Sequence, residues 1–324
     1  MSDGAFRPVW WARGSLAQTL AGRRPGGPAP GLAKATWPTP DGDALQVFLA
    51  APREAGERTP IVLLLHGLEG SHASPYVGEV ARGVLAHGWR FAMFEFRSCG
   101  GVLNRARRTY HSGETGDLAW VVAQLGSRWP AAPLCAVGVS LGGNVLLKWL
   151  GERGADAPSA LVGAAAISPP FDLAVSAAQA DGRYGGAFAR WFLKSMIATA
   201  IAKERQFPGL YDVAAVRRCR TFAAFDELVT APLHGFPTAR DYWRTQSCAP
   251  FLPAIRVPTL LVAAADDPLS TPQALPRAAV AGSRFLTAEF PARGGHCGFV
   301  AGGSPRRPRH WAEPRVLAHF AARI

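Results

Sequence analysis

The stretch AVGVSLGGNVLLKWL, residues 136–150, decides how the chain folds. Small and branched apolar residues run up to Gly138-Val139-Ser140-Leu141-Gly142, and beyond that point apolar residues return with the period of a helix. A serine between two glycines at such a junction suits a tight, strained turn that projects a hydroxyl from the end of a sheet. Gly138 and Gly142 relieve crowding where the turn approaches neighbouring backbone. The helix that follows aims its N-terminus at any negative charge developing beside that hydroxyl. The bare G-x-S-x-G string is weak evidence. Its place between a buried strand and a helix makes Ser140 a candidate nucleophile.

Similar short apolar runs lie on either side. IVLLL at 61–65, 90–96 and 134–139 read as strands, as do 160–167, 259–265 and 284–290, with two more candidates at 33–37 and 45–50. Their apolarity is continuous rather than alternating, which indicates strands covered on both faces, as in a parallel sheet. Helix-length stretches at 76–87, 113–128 and 143–152 separate them. Strand and helix in alternation predict an α/β fold with a mostly parallel, doubly wound sheet. The alternation fails between residues 170 and 253, a span holding Trp191, Phe192, Phe222, Tyr242 and Trp243 among other aromatics. So long a stretch without strand signals must carry its own structure. It reads as an inserted helical cap. The expected divisions are therefore an N-terminal segment and breaker-rich connector (1–31), a core in two parts (32–169 and 254–324), and the cap (170–253).

A chain of 324 residues that is 48% hydrophobic and 18% charged can bury a large core, which excludes wholesale disorder. Its net charge of +12 raises the question of an anionic partner. The basic residues are almost all arginine and are scattered, and the densest group, Arg306-Arg307-Pro308-Arg309, falls in a loop-like stretch. Nucleic acid is therefore not expected as a partner. The five cysteines form no C-x-x-C pair, which argues against a disulfide framework or zinc site and for free thiols in a reducing cytoplasm. No apolar run reaches the ~20 residues that span a bilayer, and the N-terminal stretch lacks the apolar core of a signal peptide.

A neutral serine needs a general base, and the base an orienting acid, here in the chain order serine, acid, histidine. Of the eight histidines, His296, His310 and His319 follow a suitable acid. His319 falls in an expected terminal helix and His310 among arginines that disfavour its protonation. His296 sits in Gly294-Gly295-His296-Cys297-Gly298, a loop directly after the last strand, and is the expected base. Asp266-Asp267-Pro268 follows the strand before it. Asp267 is preferred as the acid, because Pro268 fixes the turn after it and Asp266 is better placed to brace that turn; Asp172 is the second candidate. An oxyanion hole needs the amide after the nucleophile, Leu141, and one from the loop after an earlier strand. His66-Gly67-Leu68-Glu69-Gly70 offers that of Leu68, with His66 bracing the loop. Cys99 and Cys297 read as packing residues.

These pieces together resemble one family. HGLEGSHASPYV (66–77), NRARRTYHSGET (104–115), GVSLGGNVLLKWLGE (138–152), TFAAFDELVTAPLHGF (221–236), DDPLS (266–270) and GGHCGF (294–299) are similar to the YheT-like branch of the α/β-hydrolases, which includes bacterial predicted esterases and animal abhydrolase-domain lipases. The resemblance runs from about residue 11 to the C-terminus. It implies an α/β-hydrolase fold and a serine hydrolase with Ser140, Asp267 and His296 as triad and neither metal nor organic cofactor. The expected substrate is a small-molecule ester or lipid with a short to medium acyl chain. A second reading, suggested by the family's lipases, the basic charge and Trp10-Trp11, is a lipase or phospholipase with peripheral membrane contact, although such a tryptophan pair is more often packing than an interfacial anchor; a third is a noncatalytic module on the same scaffold. Three positions depart from the family pattern: Glu95 stands where asparagine is usual, Ser98 where glycine is usual, and Leu16 where histidine is frequent. His111-Ser112-Gly113 matches the pattern, with no role that the sequence discloses.

Overall fold

Runs that are apolar on both faces become strands buried on both faces. β3 (Ile61–Leu65), β4 (Arg90–Phe94) and β5 (Leu134–Val139) are buried at every residue. The computed structural model describes residues 5–324; residues 1–4, the start of the expected segment 1–31, lie outside the described residues. With β1 (Ala33–Pro38), β2 (Ala44–Ala50), β6 (Leu161–Ile167), β7 (Thr259–Val262) and β8 (Leu286–Glu289), these strands make one eight-stranded sheet. Its order is β1-β2-β4-β3-β5-β6-β7-β8. β2 runs antiparallel to both β1 and β4, and the six strands from β4 to β8 are mutually parallel.

Helices cover both faces. α1 (Ser15–Ala21) precedes the sheet, and α2 (Pro75–Ala86), α3 (Gly116–Arg128) and α4 (Leu141–Arg153) connect its strands. Leu118, Val121, Val145 and Leu146 of α3 and α4 pack on one face with Leu63 and Ala136. Val77, Val80 and Val84 of α2 pack on the other with Val137, joined by Leu317 and Phe320 near the C-terminus. Helix α4 starts at Leu141, two residues before its expected start, because it follows directly on the Ser140 turn. Helix α3 starts at Gly116 rather than 113, because Ser112 donates its N–H to the Tyr242 hydroxyl and passes its carbonyl to Asn144.

Between β6 and β7 lie helices α5 (Leu173–Gly182), α6 (Ala187–Gln206), α7 (Val213–Arg218) and α8 (Phe222–Phe225), a π-helical turn over Asp226–Thr230, then α9 (Ala231–Leu233) and α10 (Ala239–Gln246). Asp172, Asp212, Thr221 and Thr238 each accept a backbone N–H at a helix start, so short polar side chains set where these helices begin. Ala189, Leu193, Val216, Phe225 and Val229 form a small core of their own. Buried Lys203 ties α6 to the sheet-side loop, donating to the carbonyls of Asn104 at 2.7 Å and Ala106 at 2.6 Å. α11 (Arg277–Ala281) and α12 (Ala312–Ala321) complete the helices.

A further expectation fails. The arginine group at 306–309 is not a loop but the turn and second strand of an antiparallel ribbon, β9 (Val300–Ser304) with β10 (Arg307–His310). Alternation of exposed arginine with buried Pro308 and His310 is a two-sided strand pattern, which the charge density masked.

Candidate active site

Ser140 stands at the C-terminal end of β5 with φ 52° and ψ −122°, a left-handed backbone that a side chain adopts only under constraint. The constraint is crowding. A Cβ at Gly138 would lie 2.3 Å from the Gly142 carbonyl oxygen, and one at Gly142 would lie 2.4 Å from that of Leu65. The flanking glycines are therefore required by close approach. Other non-glycine residues with positive φ include Ser168, which lines the same cavity as Ser140, and Cys297, next to His296. Strain on this scale collects where a fold holds functional groups in fixed positions.

His296 Nε2 lies 2.9 Å from Ser140 Oγ, and its Nδ1 lies 2.8 Å from Asp267 Oδ2. Asp267 Oδ1 accepts the Leu269 N–H at 2.8 Å. The neighbouring Asp266 instead takes the Gly295 N–H at 2.9 Å, bracing the histidine loop. Asp172 caps α5. Burial opposes charging of His296, but the Asp267 carboxylate and the adjoining Cys297 outweigh it and hold the imidazole pKa well above its ordinary value. His310 reaches only the Arg24 carbonyl and His319 lies in α12, facing the carbonyl of Pro258.

After β3, His66 is fully buried, with Nδ1 2.7 Å from the Gly67 carbonyl and Nε2 receiving the Phe96 N–H at 3.0 Å. Burial drives its pKa down to about 4, so it braces the loop as a neutral ring. The Gly67 amide donates to Tyr76, that of Glu69 to Tyr110 and that of Gly70 to the Gly67 carbonyl. Between them the Leu68 amide has no protein acceptor among the described residues, and neither has the Leu141 amide at the start of α4. Leu68 and Leu141 line the same cavity as Ser140 and His296.

Two neighbouring lobes, each about 650 Å³ including open solvent, share Leu68, Ser112, Leu141, Phe222, Asp226 and Tyr242 in their walls. The lobe holding Ser140 is walled by Pro169, Leu173, Ala177, Ala180, Phe192 and Leu269. The second is walled by Tyr110, His111, Met196, Tyr211, Val229 and Leu233. His111 packs edge-on against His234, Phe236 and Tyr242, and burial, with His234 beside it, lowers its pKa far below the usual range. It is a neutral wall residue. Asp226 borders both lobes; burial pushes its carboxyl up to about 6 although Thr230 and Trp243 donate to it.

Several supporting residues escape sequence reasoning. Thr19 Oγ1 accepts the His296 N–H at 2.9 Å, and Ser168 Oγ accepts the Cys297 N–H at 3.0 Å. No spacing signals either contact, which joins positions 277 and 129 residues apart. The departures also find places. Ser98 has φ 68°, where glycine would be unstrained, and donates to Asn104. Buried Glu95 accepts both the backbone and the ring N–H of His72. Leu16 lies exposed on α1.

A mostly parallel sheet wound on both sides, with a serine on a strained strand-to-helix turn, defines the α/β-hydrolase class. The profile of the alpha/beta hydrolase fold matches residues 60–300. The Escherichia coli protein named "Putative esterase YheT" is 34% identical over 279 residues, spanning 86% of this chain and 81% of its own. Human phospholipase ABHD3 is 28% identical over 262 residues, 81% of this chain and 63% of its own. Among solved structures, the Pyrococcus furiosus esterase Pf2001 superposes with a TM-score of 0.59 at 16% identity, covering 92% of this chain and 96% of that one, a likeness of fold. The chain belongs to the α/β-hydrolases, in their YheT-like branch. It is a hydrolase by descent, with relatives named as esterase and phospholipase. Among the described residues no helix is long and apolar enough to cross a membrane.

Proposed function

We propose that this protein is a serine esterase that cleaves carboxylic esters of short to medium acyl chain through an acyl-enzyme. The observation that carries the reading is the unbroken hydrogen-bonded series Asp267–His296–Ser140. Ser140 Oγ attacks the ester carbonyl while His296 Nε2 takes its proton. The carbonyl oxygen becomes an oxyanion held by the Leu68 and Leu141 amides, both lining the Ser140 cavity and both without a protein acceptor among the described residues. Collapse expels the alcohol, which takes the proton from His296. Water then adds to the acyl-enzyme with His296 again as base, releasing the acid and restoring Ser140. Asp267 holds the imidazole in the tautomer that carries its proton on Nδ1. No metal or cofactor enters these steps.

Residues 170–253 act in this reading as a cap on a core formed by 32–169 and 254–324, with 1–31 as a leading segment. The apolar wall of Leu173, Ala177, Ala180 and Phe192 supports an acyl-binding role for the lobe beside Ser140. Five free cysteines support a cytoplasmic setting. A fluorophosphonate probe tests the nucleophile. One label at Ser140 is expected, and Ser140→Ala should lose both label and esterase activity while keeping its circular dichroism and melting temperature. Ester turnover by that variant would overturn the assignment.

A further inference from the structure

We propose that α1 and the first turns of α6 together form a docking face for an anionic lipid surface, set beside the mouth of the Ser140 cavity. The inference goes beyond the ester-cleaving reading and does not depend on it. α1 has two unlike sides. Gln18, Thr19 and Ala21 are buried, and Thr19 holds the histidine loop. Leu16 and Leu20, one turn apart on the other side, are 37% and 54% exposed. Arg23, just past the helix, lays its guanidinium 4.0 Å from the ring centre of Trp191, so α1 and α6 share one continuous surface. Trp191 is 51% exposed, and its ring packs 4.6 Å from that of Phe192, which lines the lobe containing Ser140. The exposed apolar groups thus lead from solvent to the cavity wall.

Charge selects the partner. Residues 5–40 contain Arg7, Arg13, Arg23, Arg24 and Lys34 and no aspartate or glutamate. Arg190 and Lys194, beside Trp191 and one turn on in α6, are exposed, as is Arg183 just before the helix. Asp181, the acid beside the start of α6, is turned inward to the Phe222 and Ala223 amides. A basic surface bearing leucine and tryptophan fits anionic headgroups over apolar chains. A second copy of a chain with net charge +12 would meet like charge, and a nucleic acid would have no use for Leu16 and Leu20.

Sedimentation with sucrose-loaded vesicles tests this. Wild-type protein should pellet with phosphatidylcholine vesicles containing 30% phosphatidylserine, stay in the supernatant with phosphatidylcholine alone, and leave the anionic vesicles at high salt. Each arginine near an anionic membrane is worth roughly 1 kcal/mol, or about fivefold in partitioning. Arg13→Gln with Arg23→Gln should therefore weaken binding about 30-fold. Leu16→Gln with Leu20→Gln should weaken it at least tenfold, and both pairs should hydrolyse soluble p-nitrophenyl butyrate like wild type. Binding that ignores lipid charge, or its absence, overturns the proposal, as does a salt-resistant dimer that hides the face. Loss in the arginine pair alone also overturns it, pointing to polyanion binding. Failure of the ester-cleaving reading would appear separately, as a wild type inert toward the soluble ester.

Discussion

Asp266 and Asp267 are adjacent carboxylates with different partners, and replacing each by asparagine separates their roles. At Asp267 the Oδ1 atom must remain an acceptor for the Leu269 N–H at 2.8 Å. An asparagine that keeps its oxygen there turns its NH2 toward His296 Nδ1, where the carboxylate now lies at 2.8 Å. Nδ1 must then accept, so the ring proton moves to Nε2, facing Ser140 Oγ at 2.9 Å, and the base can no longer take the serine proton. The same replacement in a serine protease costs about four orders of magnitude, roughly 5.4 kcal/mol of transition-state stabilisation. Asp266→Asn retains an oxygen for the Gly295 N–H, so less than tenfold should be lost. The assay is kcat/KM for p-nitrophenyl butyrate across pH. In the proposed mechanism neutral His296 is the form that takes the serine proton. Burial disfavours its charging, but Asp267 and Cys297 prevail and raise its pKa. Activity should therefore increase with pH through an inflection above the ordinary imidazole range, and lose that activity as pH falls below it. In Asp267→Asn the inflection should move down. Comparable losses in the two variants, or a larger loss at Asp266, would refute the argument.

Other outcomes follow from the geometry. Across p-nitrophenyl acetate, butyrate, hexanoate and octanoate, kcat/KM should rise up to about fourfold per methylene until the lobe is full, at roughly 0.8 kcal/mol for each buried CH2; a steady decline from acetate would defeat the acyl-lobe reading. Gly142→Ala places a Cβ 2.4 Å and 2.5 Å from the carbonyl oxygens of Leu65 and His66, displacing the Leu68 loop, and should cut kcat at least 100-fold in steady-state assays. Lys203→Met leaves the Asn104 carbonyl without its buried donor and the Ala106 carbonyl with only the Asn104 Nδ2–H at 3.3 Å, and should destabilise by about 1–3 kcal/mol in urea unfolding.

The sheet was legible in the sequence because its central strands are buried on both faces, so each is a continuous apolar run bounded by turn residues. The Ser140 junction was legible because one tight turn needs glycine on both sides and a helix after it, all within a few residues. Asp267 could be ranked above Asp266 by the proline that follows, though the two differ only in what they touch. What the sequence by itself determined is this local set: strand type, turn type, and the order of candidate groups along the chain.

Only the tertiary structure decided which distant groups meet. Thr19 reaches His296, Lys203 reaches the 104–106 loop, and Ser112 is held between Asn144 and Tyr242. Single polar side chains of this kind carry no periodicity and no spacing of their own. The basic ribbon at β9 and β10 was hidden for a related reason, since its charge density resembles a loop until the pairing with Val300–Ser304 shows it to be an edge. Long-range hydrogen bonds depend on how the finished layers pack, and the chain reveals them only once those layers have formed.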